Sequence, residues 1–317
     1  MQYLLISFAL LLLELLYFKI ADRYNIVDNP NHRSAHTEIT LRGGGIIFWF
    51  ASLLYFVQHV ERDYLFFVGI TLVSLVSFWD DIQNLPNKIR ISTHFIAISL
   101  IFYSLGLFEI VPWWGVAFSY IIAIGIINAY NFMDGVNGIT GLYTIVVMGS
   151  LLYVNQYVFE FTDFNFIVYP ILASVVFLFF NFRKRAKCFA GDVGSISIAF
   201  WIVFLVSKLI LDTGSFVWLL FLVVYGVETV CTIIHRMYLK ENIFEAHRWH
   251  LYQILSNGYK IDHRLVSVLY AVLQALASCI IIFGYKLHLD LVVFLIVVPP
   301  FVLLYSVKFY LLKKINY

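Results

Sequence analysis

Carboxylates and carboxamides recur where an apolar chain should exclude them. The stretch Asn128-Ala129-Tyr130-Asn131-Phe132-Met133-Asp134-Gly135-Val136-Asn137-Gly138-Ile139-Thr140 lies between two apolar runs, 110–127 and 141–154. Each run is about the length a bilayer requires. Polar groups at such a depth are costly unless they line a watery cavity or a protein interior. A capped turn, with Asn137 capping the next helix and Asp134 near its positive end, accounts for two of these residues. Asn128 and Asn131 are left unexplained. Asp134 is the stretch's one ionisable group, hence its candidate catalytic or metal-binding group.

A second constellation reads Phe78-Trp79-Asp80-Asp81, followed by Leu85-Pro86-Asn87-Lys88-Ile89-Arg90. Two adjacent carboxylates at a helix C-terminus repel each other and meet the negative end of the helix dipole. A compensating cation is required. Lys88 and Arg90 can supply it; alternatively the acids hold Mg²⁺ while Lys88 holds a phosphate. Adjacent helical residues point about 100° apart, so one of the pair faces any given ligand.

Three further stretches carry polar chemistry. Arg42-Gly43-Gly44-Gly45 is either a glycine-rich helix start or an anion site, in which Arg33, Arg42 and backbone N–H groups meet phosphate. Asp192, in Phe189-Ala190-Gly191-Asp192-Val193-Gly194-Ser195, either caps a helix or joins the other acids. In His247-Arg248-Trp249-His250, a zinc site lacks completing ligands nearby, and binding of a polyanion suits the basic cluster better.

The elements that carry these residues are membrane helices. Of 317 residues, 62% are hydrophobic and 13% charged, which excludes a soluble globular fold. Apolar runs near 2–20, 43–60, 64–79, 91–108, 111–130, 139–158, 165–182, 193–211, 215–234, 265–284 and 290–309 predict an all-α polytopic bundle of about eleven helices. Residues 1–317 form one integral membrane domain. The run 3–20 has no basic flank or small-residue cleavage site and is interrupted by Glu14, so it reads as a retained helix. Cys188, Cys231 and Cys279 are scattered and form no disulfide or metal framework.

All but Arg62, Lys208 and Lys286 of the 21 basic residues fall in or beside one alternating set of loops, which the positive-inside rule makes cytoplasmic. The N-terminus is then outside, the C-terminus inside, and every polar constellation faces the cytoplasm. A cation-coupled transporter would also put aspartates at helix breaks, but near the bilayer midplane. Here they fall at helix ends on one side.

Taken in order, these five stretches resemble the polyprenyl-phosphate N-acetylhexosamine-1-phosphate transferase family (glycosyltransferase family 4), which includes the phospho-N-acetylmuramoyl-pentapeptide translocase. The resemblance implies transfer of a sugar 1-phosphate from a UDP-linked N-acetylhexosamine to undecaprenyl phosphate, with release of UMP. The product would be the lipid-linked first sugar of an envelope glycan such as O-antigen or capsule. It implies Mg²⁺, or Mn²⁺ in its place, held by Asp192 with Asp81. Asp80, Asp81 and Asp134 match catalytic acids, and Phe189 the aromatic that stacks on uracil. Arg42, Lys88, Asn128, Asn131, Asn137, His247, Arg248 and His250 match substrate-binding positions. The expected setting is the bacterial plasma membrane; the expected partners are both substrates and the bilayer, with a homodimer admissible and no nucleic acid. One departure stands out. The muramoyl-pentapeptide branch carries three consecutive histidines where this chain has His247-Arg248-Trp249-His250, which argues for a simple N-acetylhexosamine donor.

Overall fold

The computed structural model describes residues 1–28, 39–60, 63–242 and 248–315. Each of the eleven apolar runs forms a helix. The first is α1 (Gln2–Arg23), followed by a short antiparallel ribbon of β1 (Val27–Asp28) and β2 (Thr40–Leu41), with Val27 opposite Leu41. A 3₁₀ turn over Gly44–Ile46 leads into α2 (Ile47–Gln58), and α3 (Tyr64–Ile82) and α4 (Asn87–Ser104) come next. The short α5 (Leu107–Ile110) precedes α6 (Trp113–Met133), α7 (Ile139–Tyr157), α8 (Phe164–Asn181) and α9 (Gly191–Thr213). A 3₁₀ segment over Phe216–Leu222 opens into α10 (Val223–Tyr238). The one-turn α11 (Leu251–Gln253) then continues as a π-turn over Ile254–Gly258, before α12 (His263–Lys286) and α13 (Asp290–Ile315).

Among the described residues nine helices are long and apolar enough to cross a membrane. The chain is an all-helical polytopic membrane protein. Two of the eleven runs fall short of that measure: α2 has 12 residues, and α4 opens on the polar Asn87-Lys88-Ile89-Arg90.

Helix α9 is the axis of the bundle, buried along nearly its whole length. Phe66 of α3 packs its ring against Phe200, Trp201 and Phe204 of α9, and Ser74 meets Ser197 in a buried 2.7 Å hydrogen bond between the same helices. The first turn of α9 is fixed by a backbone contact. Gly45 and Gly194 approach so closely that a Cβ on either would strike the other's backbone, a contact open only to glycine. The Gly44 and Gly45 amides donate to the carbonyls of Phe189 (2.9 Å) and Ala190 (3.0 Å). Of the two readings of this stretch, the glycine-rich helix start is the one formed: the Gly44 and Gly45 N–H groups bind protein rather than an anion, and Arg33 lies outside the described residues. What the contact does is bring Arg42 to the start of α9.

Candidate active site

Four helix ends meet beside that start. Asp81, in the last turn of α3, accepts hydrogen bonds from the backbone N–H groups of Asp192 (2.9 Å, Oδ1) and Val193 (3.0 Å, Oδ2), and from Arg42 Nε (2.7 Å, Oδ1). Its side chain has no exposed surface. Asp81 thus caps α9 from a different helix, satisfying amides that α9 itself cannot. The sequence left Asp192 either capping a helix or joining the other acids, and the resemblance put the metal on Asp192 with Asp81. The geometry takes the cap away from Asp192, and Asp81 has no open oxygen facing the cleft.

Asp80 points the other way. Its Oδ1 accepts from the Leu85 N–H (2.6 Å), closing the turn into α4, and its Oδ2 faces Arg90 Nη1 at 3.3 Å. The other arm of Arg90 reaches Asp192 Oδ2, also at 3.3 Å. One guanidinium therefore joins two carboxylates that stand side by side. Lys88, the cation expected to hold phosphate, is exposed and does not line the cleft.

Asp192 itself is turned outward, with Oδ1 accepting from Asn131 Nδ2 (2.9 Å) and Arg42 Nη2 3.9 Å away. Asn131 also reaches Ser195 Oγ (3.2 Å). Asn128, one turn earlier on α6, donates instead to the Ile124 carbonyl within its own helix and is absent from the cleft.

Asp134 sits at the centre of an inverse γ-turn, with φ −83°, ψ 60° and a Gly135 N–H to Met133 carbonyl bond of 3.0 Å. Its Oδ1 accepts from Thr140 Oγ1 at 2.6 Å, at the start of α7. Burial raises its pKa to about 6; the Thr140 hydroxyl opposes that rise, the Asp192 charge adds to it, and Arg42 opposes it. Asn137, expected to cap α7, donates to the Arg183 carbonyl (2.8 Å). The Gly138 amide at that helix start is instead taken by Asn181 Oδ1 (2.6 Å).

These groups surround a cleft of about 320 Å³. Asp28 and Arg42 flank it beside Phe189, whose backbone N–H is tied to the Leu41 carbonyl at 2.8 Å. Asn131, Asp134, Gly135 and Asp192 line it as well. Asn137, Asn181, Asn257 and His263 also line it, and Ser267 of α12 donates to the Asn137 carbonyl (2.8 Å). Of the last sequence motif, His247 lies outside the described residues, Arg248 is half-buried, and His250 is 2% exposed. His250 Nδ1 lies 3.7 Å from Glu228 Oε1 and 3.5 Å from Thr232 Oγ1, facing into the bundle. The substrate role expected of His250 therefore does not fit its position, because its ring packs inward onto α10.

Arg90, Asn181, Asn257 and His263 were missed as site residues. Arg90 was legible as a partner for the acids; Asn257 and His263 are ordinary loop polars with no spacing to mark them.

Among the described residues no three His, Cys, Asp or Glu side chains stand close enough to cage a metal. Asp80 and Asp192 nonetheless offer hard oxygen donors side by side. Mg²⁺ commonly uses one or two carboxylates with substrate phosphates and waters, and this pair fits that mode.

The fold and cleft define a class: a helical membrane protein with an acid-rich, arginine-braced pocket at one end of its bundle. The profile described as glycosyl transferase family 4 matches residues 64–210, which include Asp80, Asp81, Asp134 and Asp192. A probable undecaprenyl-phosphate N-acetylglucosaminyl 1-phosphate transferase of Bacillus subtilis (strain 168) is 25% identical over 275 residues, 80% of this chain and 76% of that protein. A phospho-N-acetylmuramoyl-pentapeptide-transferase of Petrotoga mobilis is 27% identical over 187 residues, 49% of this chain and 56% of that protein. An undecaprenyl-phosphate alpha-N-acetylglucosaminyl 1-phosphate transferase of Escherichia coli (strain K12) is 26% identical over 234 residues, 64% of this chain and 61% of that protein. The chain thus spans less than two thirds of the length of the last two. The resemblance is borne out: the central stretch of this chain matches the glycosyl transferase family 4 profile, and the relatives it resembles are phosphosugar transferases by name.

Proposed function

We propose that this chain transfers an N-acetylhexosamine 1-phosphate from a UDP-linked sugar to undecaprenyl phosphate, releasing UMP. The observation that carries the reading is the convergence of Asp192, Asn131, Arg42 and Asp134 on one cleft, all but Arg42 within the stretch that matches the family profile. The names of the Bacillus and Escherichia relatives supply the acceptor and the sugar class.

Phosphoryl transfer needs charge neutralised and reactants aligned more than it needs covalent work by the protein. Arg42 is oriented through its Nε bond to Asp81, which leaves its outer nitrogens for phosphate. Mg²⁺ or Mn²⁺ bound by Asp192 and Asp80 would neutralise the pyrophosphate of the donor. Asn131 holds the Asp192 carboxylate in place. Asp134 keeps Oδ1 on Thr140, so Oδ2 is the atom that takes a proton from the attacking lipid phosphate. A lipid phosphate oxygen bonds the sugar-bearing phosphorus, and the bond from that phosphorus to the UMP oxygen breaks. Asp81 serves as a positioning residue: covalent use of its carboxylate would strip the cap from α9 and the partner from Arg42.

The distribution of basic residues supports a cleft open to the cytoplasm of a bacterial plasma membrane, with the N-terminus outside. The missing triple histidine supports a simple N-acetylhexosamine and a product used for O-antigen, capsule or a related polymer. The transporter reading has no such support, since the acids gather at one end of the bundle.

The test is release of radiolabelled UMP from a panel of UDP-sugars, with and without undecaprenyl phosphate and with and without EDTA. Release that needs the lipid and a divalent cation is expected with UDP-N-acetylglucosamine or a close relative. No lipid-dependent release from any UDP-N-acetylhexosamine overturns the reading.

A further inference from the structure

A second cluster of buried polar groups lies outside the cleft, where α10, α11 and α12 meet. Glu228 of α10 is 4% exposed. Its Oε1 accepts from the Tyr252 backbone N–H at 3.3 Å, and its Oε2 accepts from the Tyr270 hydroxyl. Tyr252, 1% exposed, reaches from there to the turn that carries Asp134. Its hydroxyl donates to the Phe132 carbonyl at 2.8 Å, and its ring covers Gly135 so tightly that a Cβ there would collide with it. The two contacts fall on either side of Asp134 in the chain.

An inverse γ-turn is held by a single short-range hydrogen bond, so it needs outside contacts to keep one orientation. Here the Phe132 carbonyl is pulled by one end of Tyr252, and the Gly135 backbone is covered by its ring. We infer that Tyr252, seated by Glu228, is a positioning residue that aims the Asp134 carboxylate into the cleft. It sits outside the cleft lining and acts through the turn. This inference rests on the proposed role of Asp134 in transfer.

The experiment is a double-mutant cycle on purified, detergent-solubilised enzyme, with kcat and donor KM measured separately and thermal unfolding as the folding check. Tyr252→Phe removes the hydroxyl and keeps the ring. It is expected to lower kcat about tenfold, because small misplacements of a catalytic group cost that much or more, while donor KM changes less than twofold. In an Asp134→Asn background the same substitution is expected to cost nothing further, since the group it aims is gone. Glu228→Gln, which keeps an acceptor for the Tyr252 amide, is expected to hold kcat near the parent level, and Glu228→Ala to follow Tyr252→Phe.

Equal kcat losses from Tyr252→Phe in both backgrounds would make Tyr252 merely structural and overturn the inference. So would unchanged kcat in Tyr252→Phe, with Asp134→Asn still inactive. If Asp134→Asn is itself silent, the reading of Asp134 fails and takes the inference with it, a result distinct from the other two. Should Tyr252→Phe unfold, the Glu228→Ala and Glu228→Gln pair carries the same comparison across the two Asp134 backgrounds.

Discussion

Asp134 is where local geometry and chemistry bear most directly on each other. Its Thr140 partner can bond asparagine as well as aspartate, so Asp134→Asn preserves the turn and removes the charge. Loss of a general base typically costs a factor of about 10² to 10⁴. A fall in kcat of at least about a hundredfold is expected, with normal membrane insertion. Because burial lifts the carboxyl to about 6, kcat/KM should fall on the acid side as pH drops through that value. The same shift has a stability consequence of opposite sense. The folded pKa lies above the unfolded one near 3.9, so the protonated form is favoured by folding. That contribution is fully present below about pH 4 and is lost as pH rises through about 6. Asp134→Asn should therefore melt higher than the parent at pH 8 and alongside it at pH 4. Phe189 poses a separable question about the nucleotide. Base stacking on an aromatic is worth roughly 1–3 kcal/mol, so Phe189→Ala should raise the donor KM about five- to a hundredfold, and Phe189→Tyr should change it little. An unchanged KM in the alanine variant would put the uracil elsewhere in the cleft.

The start of α9 depends on residues from outside it. Asp81 supplies its cap and Gly45 its close neighbour, so the helix that presents Asp192 is anchored by α3 and by the turn before α2. Asp81→Asn leaves one acceptor oxygen where three donors converge, and Arg42 loses its charge partner. A destabilisation of about 3 kcal/mol is expected, from the lost cap and the broken buried pair. Asp192→Asn should abolish transfer while unfolding at nearly the parent temperature. Equal stability of the two variants would reject this division of labour. The motifs and their order were legible in the sequence, as were the eleven apolar runs, because both follow from composition along one dimension. Rotation about each helix axis was not. It decides that Asp80 meets Arg90 while Asp81 turns under α9, that Asn131 reaches Asp192 while Asn128 bonds its own helix, and that His250 faces Glu228. Each depends on which neighbour the helix packs against, and no spacing within a motif states that.

The molecule joins an apolar exterior to a polar end. If its basic loops face the cytoplasm, a fluorescent protein fused at Tyr317 should glow and a periplasmic phosphatase fused there should be inactive. The reverse pattern would invert the bundle and put the cleft outside. Arg90 makes one further property foreseeable. With the Arg90 guanidinium already straddling Asp80 and Asp192, part of the repulsion between those two carboxylates is offset before any ion arrives. The fold is then expected to stand without a divalent cation. Stripping cations with EDTA should then leave the melting temperature where it was while halting turnover, and Arg90→Gln should convert the enzyme into one whose melting temperature climbs when Mg²⁺ is added. Under the proposed function the arginine would act as a stand-in, keeping the acids together until substrate and ion take its place.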